Sequence, residues 1–130
     1  MLVTRTDHDG WAVVTVTGEM DLISSPAVRQ KVHDAVADGR RSVVLDLAGV
    51  RFCDSSGVGV LIGARRLMRS CAGRLRIVLP ADDPLRGGGS APGEGVYVNR
   101  VLAALGVRRL FEVFPDLDAA TDDSARPLTA

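Results

Sequence analysis

Residues 42–61, SVVLDLAGVRFCDSSGVGVL, contain the change of pattern that decides the fold. Residues 42–47 form a short, mostly apolar run, which predicts a β-strand buried on both faces. Residues 54–57 then turn the chain into a helix at residues 56–70, where apolar side chains recur at helical spacing. The predicted core face of this helix consists of Val60, Leu61, Ala64, Leu67, Met68 and Cys71.

Strand and helix patterns alternate on both sides of this segment. A helix begins with Ser25 as its N-cap and Pro26 in its first turn, and Gly39 ends it. The order β-β-α-β-α-β-α-β-α predicts an α/β fold with one mostly parallel sheet of about five strands, an antiparallel edge and about four helices. The other predicted elements are strands at residues 2–6, 11–17, 75–79 and 110–114, a helix around residues 98–105 and a helical turn at residues 115–120.

The chain of 130 residues has the size of one domain, which we place at residues 1–120. Residues 80–95 contain five glycines and three prolines, which predict a flexible insertion. Residues 121–130 follow no helix or strand pattern and are predicted to form a loose C-terminal tail.

Composition and charge argue against several classes of protein. The chain has 16 basic and 16 acidic residues, whereas nucleic-acid binders carry a basic excess. No apolar run approaches the roughly 20 residues of a membrane helix, and the N-terminus does not fit a signal peptide, so we predict a cytoplasmic protein. Cys53 and Cys71 flank a helix about 22 Å long. That separation predicts free thiols, which fit a reducing compartment.

The predicted topology places a candidate site at one edge of the sheet. Parallel strands joined by crossover helices end at the same edge, and in open α/β sheets the functional site lies there. We call this edge the rim and define it by residues 18–25, 53–57 and 80–95. The rim brings together Asp21, Asp54, Ser55 and Ser56.

The helix after residue 55 offers a second surface beside the rim. At about 100° per residue, Val58 and Ile62 point away from the predicted core face, in the direction of Ser55. The arginines that share this direction are Arg65, Arg66 and Arg69. Two interpretations stay open: a docking face for a partner, or half-burial of the two apolar residues by a neighbouring helix.

The same helix carries glycines in its first two turns, at Gly57, Gly59 and Gly63. Each costs about 1 kcal/mol relative to alanine inside a helix. Either tight packing within the fold or the close approach of a partner's backbone accounts for them.

Two motifs resemble the STAS domain family, specifically the bacterial anti-sigma factor antagonists. Residues 52–60, FCDSSGVGV, are similar to the family's DSSGLGV-like run, and residues 18–21, GEMD, are similar to its GELD-like tetrad. The resemblance covers residues 1–120 and implies the STAS-type single-layer sheet. It departs from the family at Cys53, where methionine is more usual, and in the length of the insertion at residues 80–95.

The resemblance implies partner switching in sigma factor regulation. Ser55, with Ser56 as the alternative, is expected to be phosphorylated by an anti-sigma factor of the GHKL kinase type. The unmodified protein would bind this partner and release a sigma factor, and a PP2C-type phosphatase would remove the phosphate. The alternative function is a non-catalytic STAS interaction module in a larger stress-signalling assembly. The predicted partner contacts are Asp21, Asp54, Ser56, Gly57, Val58, Ile62 and Arg65.

The two serines also fit a simpler role as helix caps, for which Ser56 is the better candidate. A phosphate adds about −1.5 to −2 charge, and a helix N-terminus favours anions. Phosphorylation of Ser55 is therefore expected to leave the fold intact and to act on the partner.

The remaining polar residues predict no catalytic, metal or nucleotide site. A Ser–His–Asp triad needs a histidine near the serine, but His8 lies in the first hairpin and His33 within the first helix. Ser55 also lacks the GxSxG turn of hydrolases. The histidines and cysteines lack metal-ligand spacing, and residues 86–90, RGGGS, do not match a phosphate-binding loop. We predict no enzyme activity, no cofactor and no metal.

Overall fold

The structure, a computed structural model, describes residues 1–80 and 96–128. All of the predicted flexible insertion except Pro80 lies outside the described residues. The strands are β1 Leu2–His8, β2 Trp11–Met20, β3 Ser42–Cys53, β4 Arg74–Val78 and β5 Glu112–Phe114. The helices are α1 Ser25–Ala37, α2 Ser55–Ser70, α3 Val96–Ala104 and α4 Leu117–Ala120, with a 3-10 helix at Arg108–Leu110.

The five strands form one sheet in the order β1-β2-β3-β4-β5. β1 runs antiparallel to β2, and every other pair of neighbours is parallel. The predicted fold class is therefore confirmed. β2 and β3 continue further than predicted, until Met20 pairs with Cys53, and this extension carries both strands to the rim.

The sheet is packed on both faces. α1, α2 and α3 cover one face, and α4 packs against the other. Buried side chains on the first face include Val14, Val28, Leu45, Leu61, Ile77 and Leu102, and those on the second include Trp11, Val13, Val44, Val78, Phe114 and Ala120. None of the helices in the described part of the chain is long and apolar enough to cross a membrane.

The C-terminal part differs from the prediction in two ways. The 3-10 helix takes the start of the predicted last strand, so β5 has only three residues. Residues 121–128 are not a loose tail, because the buried guanidinium of Arg76 donates to the carbonyls of Ala120 and Asp122, at 3.0 and 2.9 Å. A buried charge requires hydrogen-bond partners, and these two carbonyls hold the segment against the sheet.

Candidate functional site

Two of the three rim segments meet as predicted. Met20 and Cys53 are paired at the ends of β2 and β3, and the backbone N–H of Asp54 donates to the carbonyl of Met20 at 3.2 Å. This bond joins residues 18–25 to residues 53–57 and places Asp21 beside the start of α2. The third predicted segment, residues 80–95, lies outside the described residues after Pro80.

Asp54 caps α2, and the prediction that Ser56 does so is wrong. Asp54 is extended, with φ −95° and ψ −170°, and its carboxylate accepts hydrogen bonds from the N–H groups of Ser56 at 2.8 Å and Gly57 at 3.2 Å. Ser56 is the second helical residue, whereas a capping side chain belongs to the residue just before the helix.

Ser55, the first residue of α2, is exposed. Within residues 1–80 and 96–128, its hydroxyl makes no hydrogen bond. A helix leaves four N–H groups without an internal acceptor at its start. At α2, those of Asp54, Ser56 and Gly57 are taken by Met20 and the Asp54 carboxylate, which leaves the N–H of Ser55 itself. The Ser55 side chain is therefore dispensable for this helix end.

Gly57 is needed for close packing. A Cβ at this position would lie 2.6 Å from Cys53 Sγ and 2.9 Å from both Met20 Cβ and the Met20 carbonyl oxygen. A Cβ at Gly59 or Gly63 would meet no described atom within 4 Å. The tight-packing interpretation is therefore confirmed for Gly57 only, while the other two glycines are exposed on the outside of α2.

The prediction that Val58 points outward is wrong. Val58 is only 6% exposed, and Ile62 is half-buried against the same core. The physical reason is that α1 packs beside α2 and widens its buried arc. The second interpretation, burial of these two apolar residues beside a neighbouring helix, is therefore confirmed. Arg65 is also anchored, since its Nε donates to the carbonyl of Leu110 at 2.8 Å. The exposed residues that share the direction of Ser55 are Gly59, Gly63, Arg66 and Arg69.

The loop between β2 and α1 is held by Asp21. The Asp21 carboxylate accepts hydrogen bonds from the N–H groups of Ile23 at 3.0 Å and Ser24 at 2.9 Å. Two hydrogen bonds hold the pKa of Asp21 below its ordinary value. The larger effect comes from the Ser24 N–H, and the smaller from the Ser24 hydroxyl at 2.9 Å. The carboxylate that we predicted as a partner contact is thus engaged within its own loop.

The N-cap of α1 is Ser24, so the prediction of Ser25 is wrong by one residue. The Ser24 side chain makes no capping bond, because its hydroxyl lies against the Asp21 carboxylate and donates to the carbonyl of Glu19. Ser25 is the first helical residue and is buried.

Leu22 and Ile23 were missed by the sequence reasoning. They are 74% and 89% exposed on the rim. The sequence does place two large apolar residues next to each other between Asp21 and Ser24. Because this segment is a turn, neither residue lies on a helix or strand face that could pack against the core.

Cys53 lies beneath the site as a buried thiol. The pKa of Cys53 is raised to about 11, mainly because burial desolvates the thiol and to a smaller extent because the charge of Asp54 is nearby. The thiol is therefore protonated at neutral pH and packs as a small apolar side chain. Both Cys53 and Cys71 are free, as predicted.

The described histidines lie away from the rim. His8 pairs with Trp11 at the opposite end of the β1–β2 hairpin, and His33 is exposed on α1. Within the described ranges, no group of three histidine, cysteine or acidic side chains is arranged to hold a metal ion.

Residues 3–87 match the model of the STAS domain. The anti-sigma-F factor antagonist RsfB of Mycobacterium tuberculosis H37Rv is 41% identical over 59 residues, which are 45% of this chain and 48% of that protein. An anti-sigma F factor antagonist of Paenibacillus polymyxa is 32% identical over 71 residues, which are 54% of this chain and 61% of that protein. The chain thus spans less than two thirds of the length of these relatives.

Solved structures show the same fold. The crystal structure of an anti-sigma factor antagonist from Mycobacterium paratuberculosis has a TM-score of 0.71 at 28% identity, and the match covers 92% of this chain and 89% of that chain. SpoIIAA in its unphosphorylated form has a TM-score of 0.53 at 23% identity, covering 77% of this chain and 97% of that chain.

Proposed function

The chain belongs to the STAS domain family, and we propose that it is an anti-sigma factor antagonist whose partner binding is controlled by phosphorylation of Ser55. The unmodified protein binds an anti-sigma factor of the GHKL kinase type and so releases a sigma factor. Phosphorylation by that kinase ends the binding, and a PP2C-type phosphatase restores it. The protein itself is non-catalytic and acts in the cytoplasm, where its two free thiols stay reduced.

Similarity to named relatives supports the antagonist role. RsfB and the structurally similar protein from Mycobacterium paratuberculosis are both named as anti-sigma factor antagonists. The first match covers less than half of this chain, and the second covers most of it.

The state of Ser55 is the observation that carries the proposal. Asp54 performs the capping that would otherwise explain a serine at the start of α2. Ser55 is left exposed, with a hydroxyl that bonds to no other described residue. A kinase can therefore reach this hydroxyl, and modifying it breaks no bond of the fold.

A phosphate on Ser55 would change the charge of the rim rather than its structure. The helix N–H groups that could bind it are occupied, except for the N–H of Ser55 itself. The added charge of about −1.5 to −2 would stand beside the carboxylate of Asp54 and near that of Asp21. A partner that encloses Ser55 would have to desolvate this cluster of like charges, which is costly.

The contact surface in this proposal differs from the one expected from sequence. Ser55, Ser56 and the exposed outer side of α2 remain as contacts, whereas Val58 is buried within the fold. Asp54 and Gly57 contribute by fixing the start of α2.

Phosphorylation assays test the proposal. The protein is incubated with ATP and each purified GHKL-type kinase encoded in the same genome, and the product is analysed by mass spectrometry. We expect one phosphate on wild type, none on Ser55→Ala and one on Ser56→Ala, which is the matched control. If Ser55→Ala is phosphorylated and Ser56→Ala is not, the phosphorylated residue is Ser56 and the assignment to Ser55 is wrong. Partner binding that is equal with and without the phosphate would favour the constitutive interaction module.

A further inference from the structure

Two adjacent apolar side chains on the rim are largely exposed in the described part of the chain. Ile23 and Leu22 are the most exposed large hydrophobic residues within residues 1–80 and 98–128, at 89% and 74%. Single exposed apolar residues are common on protein surfaces. A neighbouring pair at the tip of one loop presents more apolar area, and covering it would be favourable.

The loop that presents this pair is ordered by its own polar groups. The Asp21 carboxylate accepts hydrogen bonds from the N–H groups of Ile23 and Ser24, and the Ser24 hydroxyl accepts one from the N–H of Asp21 at 3.0 Å. A loop that is already fixed loses little conformational entropy when it binds. These bonds therefore prepare Leu22 and Ile23 for contact with another protein.

The pair lies next to the proposed phosphorylation site. The residue before Asp21 accepts the hydrogen bond from Asp54, and Asp54 is followed by Ser55. The loop and the serine thus share one hydrogen-bonded junction. A kinase whose active site encloses Ser55 has to lie over this loop as well.

We propose that Leu22 and Ile23 form an apolar anchor that enters a hydrophobic pocket on the anti-sigma factor, and that Asp21 is a positioning residue which holds this anchor. The inference rests on the proposed function, since it assigns the anchor to the partner that acts on Ser55. It also changes the expected role of Asp21, which acts through its loop rather than by touching the partner.

Serine substitutions in the anchor give the first test. Binding of Ile23→Ser and Leu22→Ser to the cognate GHKL-type kinase is compared with that of Leu105→Ser. Leu105 is 58% exposed but follows α3, at the end of the sheet opposite the rim. We expect Kd to rise at least about tenfold for Ile23→Ser, as for an anchor residue at the centre of an interface, and to change less than about twofold for the control. Melting temperatures should be alike for all three variants.

The double variant, Leu22→Ser with Ile23→Ser, gives the decisive test. If it binds the kinase as tightly as wild type, the proposed anchor is refuted. The proposed function is tested separately by Ser55→Asp. If Ser55→Asp loses binding while the double variant keeps it, the function stands and the anchor is rejected. If wild type binds none of the GHKL-type kinases encoded in the same genome, both the proposed function and the anchor are refuted.

The role of Asp21 is tested by a pair of substitutions. Asp21→Asn keeps an acceptor oxygen for the N–H groups of Ile23 and Ser24, whereas Asp21→Ala removes it. We expect amide hydrogen exchange at these two positions to accelerate in Asp21→Ala, with weaker kinase binding, and both properties to be largely restored in Asp21→Asn. Equal loss of binding in both variants would indicate a direct charge contact and would refute the positioning role.

Discussion

Substituting alanine for Gly57 tests how the start of α2 is positioned. The new Cβ would lie 2.6 Å from Cys53 Sγ and 2.9 Å from Met20 Cβ and the Met20 carbonyl oxygen. Forcing extra volume into a packed site costs about 1–3 kcal/mol. Because one of the three contacts is backbone of β2, the strand end cannot move aside without disturbing its pairing with β3. We therefore expect a clear loss of stability.

Gly59→Ala is the matched control on the same helix. A Cβ there would meet no described atom within 4 Å, so the substitution should gain up to about 1 kcal/mol from helix propensity. Gly57→Ala makes the same change of residue in the same helix, so the propensity gain largely cancels between the two variants. Their free energies of unfolding should therefore differ by about 1–3 kcal/mol, which is the cost of the added volume at Gly57.

Urea unfolding of both variants, followed by circular dichroism, measures this difference as a shift in midpoint at constant slope. If Gly57→Ala is as stable as Gly59→Ala, the close packing of α2 on the end of β2 is wrong. The placement of Ser55 on the rim would then lose its structural basis.

Three further predictions concern the same region. Asp54→Ala should lower the free energy of unfolding by about 1 kcal/mol, since it removes the α2 cap, and urea unfolding against Ser55→Ala as the control checks this. Ile62→Asp should destabilise the fold strongly, because the side chain is half-buried against the core. An unchanged melting temperature would instead indicate that Ile62 points away from the core. Burial raises the pKa of Cys53 to about 11 from an ordinary 9.0, so the unfolded chain releases this proton first and stability should fall as pH rises through that interval. The fall should be steeper in wild type than in Cys53→Ala.

The sequence pattern predicted the elements well because their periods are local properties. Valine-rich runs such as that of β3 and the helical spacing of α1 are decided by which faces become buried. The parallel direction of β2, β3 and β4 followed from the crossover connections. The start of β5 was less predictable, since a short 3-10 helix has no sequence period of its own.

Details of the site depended on contacts between distant segments. Residues 54–56 are three consecutive capping-type residues, and the bond from Asp54 to Met20 decides which of them caps α2. The burial of Val58 was misjudged because the sequence left open whether a neighbouring helix packs beside α2, as α1 does in the structure. The C-terminal segment is ordered by the buried Arg76, whose need for acceptors no local pattern reveals.

The effect of Ser55 phosphorylation on affinity tests the central claim most directly. Wild type is phosphorylated to completion by its kinase, the site is verified by mass spectrometry, and the Kd for that kinase is measured by calorimetry before and after modification. We predict that the Kd rises at least about tenfold, equivalent to about 1.4 kcal/mol, while the melting temperature stays nearly constant. An unchanged Kd for fully phosphorylated protein would contradict the account.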